Sequence, residues 1–218
     1  MIIVRRDAAT PRVLMGRRPL TASFMPGKYV FPGGRVEAAD HRVVPAAPLA
    51  PEVETLLSRR LRRPSALKPR ALAMAAVRET FEEVGFIIGR PTDRRQSTRS
   101  PVWSAFFDSG HAPDLSGLSL FTRAITPPGR TRRFDTRFFL AEADALANLD
   151  RPVAAANDEL LEPVWVTIDE ALGLNLPEIT QDVLERLKPL VDRPGRIGAG
   201  LPVSFQYARG ADWRYDTL

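Results

Sequence analysis

Apolar residues along this 218-residue chain fall into two patterns, short compact runs and helical stripes. The runs come first. Ile2, Ile3 and Val4, then Val13, Leu14 and Met15, flank the turn segment DAATP and predict a hairpin of strands over 1–6 and 11–18. KYVFPGG reads as a short strand ending in a Pro-Gly-Gly turn. Over 71–84 the period becomes helical, and Gly85 stands where a left-handed cap is expected. PEVETLLSRRL predicts a short helix with Pro51 in its first turn, and VWSAFFDSG another. SLFTRAIT and TRRFDTRFFLAEA read as adjacent strands joined by the turn PPGR. After the polar loop AAANDELLEP come a strand, VWVT, and two amphipathic helices, IDEALGL and PEITQDVLERLKPL; VSFQYA closes the series as a strand. Strands alternating with helices predict an α/β fold, a sheet covered on both faces.

One segment breaks the pattern. Residues 41–70 carry Pro45, Pro48, Pro51, Pro64 and Pro69 and the cluster Arg59, Arg60, Arg62 and Arg63. They read as an insertion in a single domain spanning 1–218, placed as a lid or rim beside a substrate. Composition narrows the function. With 44% hydrophobic and 26% charged residues the chain is an ordinary globular one, long enough for a sizeable core. There is no Cys, which excludes disulfides and thiolate metal sites. Two His, His41 and His111, do not make a His-rich transition-metal site, and both read as incidental. The net charge is +5, and of the basic residues only Lys28, Lys68 and Lys188 are lysine. The guanidinium fork matches phosphate, so the arginine excess is compatible with anionic ligands, as it is with plain genomic composition. No basic tail or basic–aromatic ladder points to nucleic acid. No apolar stretch has the length of a membrane span, and the first residues are too short a run for a signal peptide, so the expected compartment is the cytoplasm.

The helix at 71–84 carries the candidate chemistry. With Glu79 at the origin, Glu83 falls near 40° and Glu82 near 300°, a wedge of about 100°. Val77, Phe81 and Val84 lie at roughly 140–200°, on the opposite side. Arg78 flanks the acidic wedge. Like charges at this spacing cost a few tenths of a kcal/mol per pair, and an isolated Glu-Glu pair reads as a solvated face. Three carboxylates on one side, with an arginine to hold them, offer hard oxygen ligands suited to Mg²⁺ or Mn²⁺. The turn FPGG, Phe31 to Gly34, offers a backbone carbonyl if it lies nearby.

Together these residues resemble the signature of the Nudix hydrolases, G-x5-E-x7-R-E-U-x-E-E-x-G-U, with U a bulky apolar residue. Gly34 matches the first Gly, Arg78 and Glu79 the R-E pair, Glu82 and Glu83 the E-E pair, Gly85 the second Gly and Phe86 the last U. Thr80 stands at an internal U, and Asp40 stands where the first Glu belongs. Between Asp40 and Arg78 lie 37 residues where the pattern has 7, so the inserted segment splits the box while each half keeps its own spacing. A long insertion here is a feature of the branch of peroxisomal coenzyme A diphosphatases and their bacterial relatives. LMGRR and GKYVFPGG fit parts of that branch's motif LLTxRSxxxRxxxGxxxFPGG, with Gly27 at its spaced Gly and Ser23 in place of its second Arg.

The resemblance implies a Nudix-type α/β/α sandwich with a mixed sheet. It implies hydrolysis of a nucleoside diphosphate linked to another group, with coenzyme A or an acyl-CoA as the first substrate. ADP-ribose, NADH or a dinucleoside polyphosphate come next, and a non-catalytic nucleotide sensor is the rival from another class. It implies Glu79, Glu82 and Glu83 as ligands of Mg²⁺ or Mn²⁺, Gly34 as a carbonyl ligand, Arg78 orienting the glutamates, and Glu82 or Glu83 as base. Some members draw a base or ligand from a loop before a late strand; here Glu159 holds that place, with Asp158 and Glu162 as rivals. Arg17, Arg35, Arg133 and Arg137, on or beside predicted strands, are the candidates for substrate phosphate. The partner implied is a small-molecule nucleotide, with no nucleic acid or membrane; monomer or homodimer is open.

Overall fold

Strand β1 (Ile2–Arg5) is apolar at successive positions because both of its faces are covered. Ile2 and Val4 pack into one layer and Ile3 into the other. In β2 (Arg12–Arg17), Val13 and Met15 join the layer of Ile2, and Leu14 joins that of Ile3, as a period of two requires. The computed structural model describes residues 1–61, 65–94, 96–129, 132–193, 195–197, 200–209 and 212–218. Arg62 and Arg63 of the arginine cluster, and Arg130 of the PPGR turn, lie outside them.

The chain continues through β3 (Tyr29–Val30), α1 (Pro51–Ser58), α2 (Lys68–Val84), β4 (Gly89–Pro91), α3 (Pro101–Asp108) and β5 (His111–Pro113). It then forms β6 (Ser119–Ile125), β7 (Asp135–Glu142), β8 (Leu161–Thr167), α4 (Ile168–Leu172), α5 (Glu178–Val191), β9 (Ser204–Arg209) and β10 (Asp212–Thr217). Eight strands make one mixed sheet in the order β10-β9-β6-β7-β1-β2-β3, with β8 on β2. β1 runs parallel to β7 and β6 parallel to β9; the other pairs are antiparallel. Because β8 pairs along β2 from Arg12 to Arg17, β1 and β3 share the opposite edge of β2. The turn leaving β3 therefore falls beside the start of β1, where the Met1 amino group donates to the Pro32 carbonyl.

Two cores result. Val53 and Leu57 of α1, Met74 and Val77 of α2 and Trp103 and Phe106 of α3 pack on Ile3, Leu14 and Phe139. Ile168 and Ala171 of α4, with Val183, Leu184 and Leu187 of α5, pack on Ile2, Val13 and Leu140. This is the expected α/β/α sandwich with a mixed sheet. Helix α2 starts at Lys68, three residues before the apolar pattern does, with Pro69 in its first turn where a missing N–H leaves no bond unmade. Its end is as expected, with Gly85 left-handed at φ 70°. The small sheet of β4 and β5, and strand β10, have no counterpart in the sequence reading; GRP and HAP are too short for a period, and DWRYDT alternates without a buried stripe.

The inserted segment also contributes to the core: Val43, Leu49, Val53 and Leu57 are buried on the α2 side, so it forms a wall of the domain. Among the described residues no helix is long and apolar enough to cross a membrane.

Candidate active site

The charged wedge of α2 is not a solvated face. Arg78 is 2% exposed, Glu79 7% and Glu83 2%, and only Glu82 of the set reaches solvent appreciably. Charges buried to this degree need partners, and each has them. Arg78 donates from Nε to Asp40 Oδ1 at 3.0 Å, from Nη1 to Glu82 Oε2 at 2.9 Å, and from Nη2 to Glu79 Oε1 at 3.0 Å and the Arg35 carbonyl at 2.7 Å. Burial works against its charge, but the Asp40 hydrogen bond and the charges of Glu79 and Asp40 outweigh it and hold the guanidinium protonated. One arginine thus ties the turn after β3, the end of the first half-box and two glutamates of the second.

The double glycine belongs to the same place. The Gly33 N–H donates to Glu83 Oε2 at 2.8 Å. A Cβ on Gly34 would overlap the Glu79 carboxylate, so only glycine lets the backbone lie against that side chain. The third segment is the loop before β8. The Ala156 N–H donates to the Glu83 carbonyl at 2.9 Å, and Asn148 Nδ2 and Arg151 Nη1 donate to the Gly85 carbonyl at 3.0 and 3.2 Å. Glu159, exposed on this loop, is carried to the two buried glutamates. One carboxylate oxygen from each of Glu79, Glu83 and Glu159 lies within 4.8 Å of the others.

The two buried acids of the three, Glu79 and Glu83, are kept from ionising chiefly by burial. Burial pushes the Glu83 carboxyl up to about 8, with the Glu79 charge adding and the Gly33 N–H opposing. Burial also raises Glu79, against the pull of Arg78 and with the Glu82 and Glu159 charges adding. The donor set is hard oxygen only, two members are buried, and its negative charge is under-compensated. These properties fit a hard divalent cation.

Not every candidate side chain joins the cluster. Glu82 is turned to Arg78 and lies outside the group of three. Of the rivals to Glu159, Glu162 is engaged by Arg17 (Nε to Oε2, 2.9 Å) and by the Tyr29 hydroxyl at 3.2 Å; the Asp158 side chain is exposed on the loop outside the converging set. Arg17 is therefore paired. Arg133 Nε donates to the Thr126 carbonyl at 3.2 Å, and the Arg35 guanidinium lies 5.6 Å from the Phe134 ring. Arg137 differs: its side chain is 5% exposed, it pairs with Asp135 at 2.9 Å, and its Nε and Nη2 have no partner among the described residues. His111 Nδ1 contacts the Ser109 carbonyl, and His41 offers its carbonyl to Arg70.

The sequence reading missed two contributors. Arg123 on β6 makes a bidentate pair with Asp135 (2.8 and 2.9 Å) and donates to the carbonyls of Arg59 and Arg60, docking the end of α1 on the sheet. Trp103 donates its indole N–H to Asp40 Oδ1 at 2.9 Å. Neither has a sequence signal, since each acts on a residue distant along the chain.

No family model matches the chain. In an alignment 210 positions long that covers 73% of this chain, it is 28% identical to "Acyl-coenzyme A diphosphatase NUDT19" of Gallus gallus. In an alignment 185 positions long that covers 78% of this chain, it is 31% identical to a Caenorhabditis elegans protein named as nudix hydrolase 7. It spans 55% and 52% of those two proteins, about half of their length. A crystal structure of a NUDIX hydrolase from Alicyclobacillus acidocaldarius superposes with a TM-score of 0.64 at 28% identity, covering 87% of this chain and 89% of that one.

Proposed function

The chain belongs to the Nudix hydrolase family, and on that premise we propose that it cleaves the pyrophosphate bond of a nucleoside diphosphate linked to a second group, using Mg²⁺ or Mn²⁺. The observation that carries this reading is the convergence of Glu79, Glu83 and Glu159 within 4.8 Å beside the Gly33-Gly34 turn. Those three carboxylates, with the Gly34 carbonyl, would hold the cation. When bound, it neutralises phosphoryl oxygens and lowers the pKa of a coordinated water.

The chain's own groups do the rest. Arg78 fixes the side chains of Glu79 and Glu82 by the bonds described above. Glu82, Glu83 or Glu159 takes the proton of the attacking water. Glu82 suits that task because it is more exposed than the buried pair and stands outside the group of three. Arg17, Arg35, Arg133 and Arg137 stay the candidates for a substrate phosphate; the two Arg137 nitrogens without a partner among the described residues are themselves buried, so they do not single it out.

Coenzyme A or an acyl-CoA is the preferred substrate, giving 3′,5′-ADP and a 4′-phosphopantetheine product. Support comes from the named activity of the Gallus gallus relative, from the insertion inside the box and from Gly27 and FPGG at their motif positions. Ser23, in place of an arginine, keeps ADP-ribose, NADH and dinucleoside polyphosphates in play.

A panel of coenzyme A, acetyl-CoA, ADP-ribose, NADH and diadenosine tetraphosphate, assayed with Mg²⁺, Mn²⁺ or EDTA, tests the proposal. The expected result is release of 3′,5′-ADP from the CoA substrates, abolished by EDTA. Tight binding of one nucleotide with no turnover of any would instead make the chain a sensor.

A further inference from the structure

The first half of the box ends in an aspartate, one methylene shorter than the glutamate of the pattern. A shorter side chain reaches less far and should hold Arg78 less firmly. The surroundings of Asp40 compensate. The residue is fully buried and its carboxylate receives four hydrogen bonds. Arg78 supplies two, Nε to Oδ1 at 3.0 Å and Nη2 to Oδ2 at 3.3 Å. The Glu37 N–H supplies one to Oδ2 at 2.7 Å, and the Trp103 indole N–H one to Oδ1 at 2.9 Å. An ionised carboxylate offers about four acceptor sites, so all are taken and the group has no second orientation to adopt. Three of these donors come from the box or its turn. Trp103 comes from α3, outside both halves, and is itself fully buried, with Phe106 edge-on at 5.4 Å and Phe107 stacked at 6.2 Å.

We propose that Trp103 is a positioning residue of the metal site: its indole N–H pins Asp40, Asp40 pins Arg78, and Arg78 sets the carboxylates of Glu79 and Glu82. This rests on the functional reading above. The plain alternative is a core tryptophan that has merely found a partner for its N–H. The two roles diverge when the N–H is lost and the ring is kept. Without it, one lone pair of a buried carboxylate is unsatisfied, and Asp40 can rock against Arg78. The same Nη2 that bonds Asp40 bonds Glu79, so the motion passes directly to a cation-holding carboxylate.

The test compares Trp103→Phe with Phe107→Leu in the full chain. Phe107→Leu disturbs the same aromatic cluster and donates nothing to Asp40. Mn²⁺ affinity is measured without substrate, by electron paramagnetic resonance of the free ion, alongside kcat and KM on the substrate found in the panel. Trp103→Phe should weaken Mn²⁺ binding about tenfold and lower kcat by about the same factor, with KM within about twofold. Phe107→Leu should leave Mn²⁺ affinity and kcat unchanged. Equal effects of the two variants, or none from Trp103→Phe, would overturn the proposal. A second measurement needs no variant. In ¹⁵N-labelled wild-type protein the Trp103 indole resonance should move with Mg²⁺ at the midpoint of cation binding. A resonance that stays in place while Mg²⁺ binds would also overturn it, whereas a wild-type chain that binds neither cation would fell the functional reading itself.

Discussion

Glu83 illustrates how burial gives a common residue its chemistry. On α2 it is one of three glutamates, but it alone combines near-complete burial, the Gly33 N–H and a carboxyl raised to about 8. Folding therefore holds its proton more tightly than the unfolded chain, whose ordinary value is 4.5. That contribution to stability is complete below the unfolded value and is lost as pH rises toward about 8. Glutamine at 83 keeps the shape and does not titrate. The metal-free Glu83→Gln protein should then be more stable than wild type by a margin that widens between pH 5 and 8, read by urea titration at each pH. The Met1 amino group, lowered by burial to about 6 with the Glu83 charge opposing, acts in the opposite sense; glutamine at 83 removes that opposition, so the margin reports on Glu83 together with its coupling to Met1. The same substitution should weaken Mn²⁺ binding by on the order of a hundredfold. Glu82→Gln should behave differently, lowering kcat by roughly 10²–10⁴-fold with little change in Mn²⁺ affinity. If both variants lose cation binding alike, Glu82 is a ligand and not the base. The identities of these residues, and the spacing that put them on one side of α2, were legible in the sequence; which of them faces Glu159 and which faces Arg78 was not.

Elements behave according to how local their determinants are. Helix α2 and its Gly85 cap, the β1–β2 hairpin and α5 follow from periods and punctuation that a short window contains. The role of α1 does not. The helix itself was visible, but its docking on the sheet involves Arg123, which donates to the carbonyls of Arg59 and Arg60 across 64 and 63 positions. Proline content and the position between the two halves of the box suggested a lid or rim beside the substrate; Leu57, 2% exposed, also places the segment in the main core. Leu57→Ala should accordingly cost about 2–5 kcal/mol in denaturant unfolding, the range for buried leucines, where a lid residue would cost almost nothing. Strands β4, β5 and β10 went unread because very short or two-sided polar strands carry no period, and their pairing partners alone define them.

At the scale of the whole molecule, three segments meet that are far apart in the chain: the turn after β3, α2 and the loop before β8. Arg78 and the Gly33 N–H join the turn to α2, and hydrogen bonds to the end of α2 hold the loop, whereas exposed Glu159 meets the cluster only as a carboxylate among like charges. A divalent cation should tighten this junction. With saturating Mg²⁺, amide hydrogen exchange should slow in residues 156–160 and at Gly33 and Gly34, while β9 and β10 exchange as before. Uniform slowing, or none, would count against a cation at this junction. The sequence by itself determined the fold class, the acidic helix, the turn beside it and the family they resemble, because those depend on short-range periodicity and on residue types at fixed spacing. Only the tertiary structure decided that Glu159 joins Glu79 and Glu83, that Glu82 turns to Arg78, and that Asp40 is anchored by Trp103. Each of these is a contact between segments whose approach is set by sheet register and core packing, and no local pattern in the chain encodes that approach.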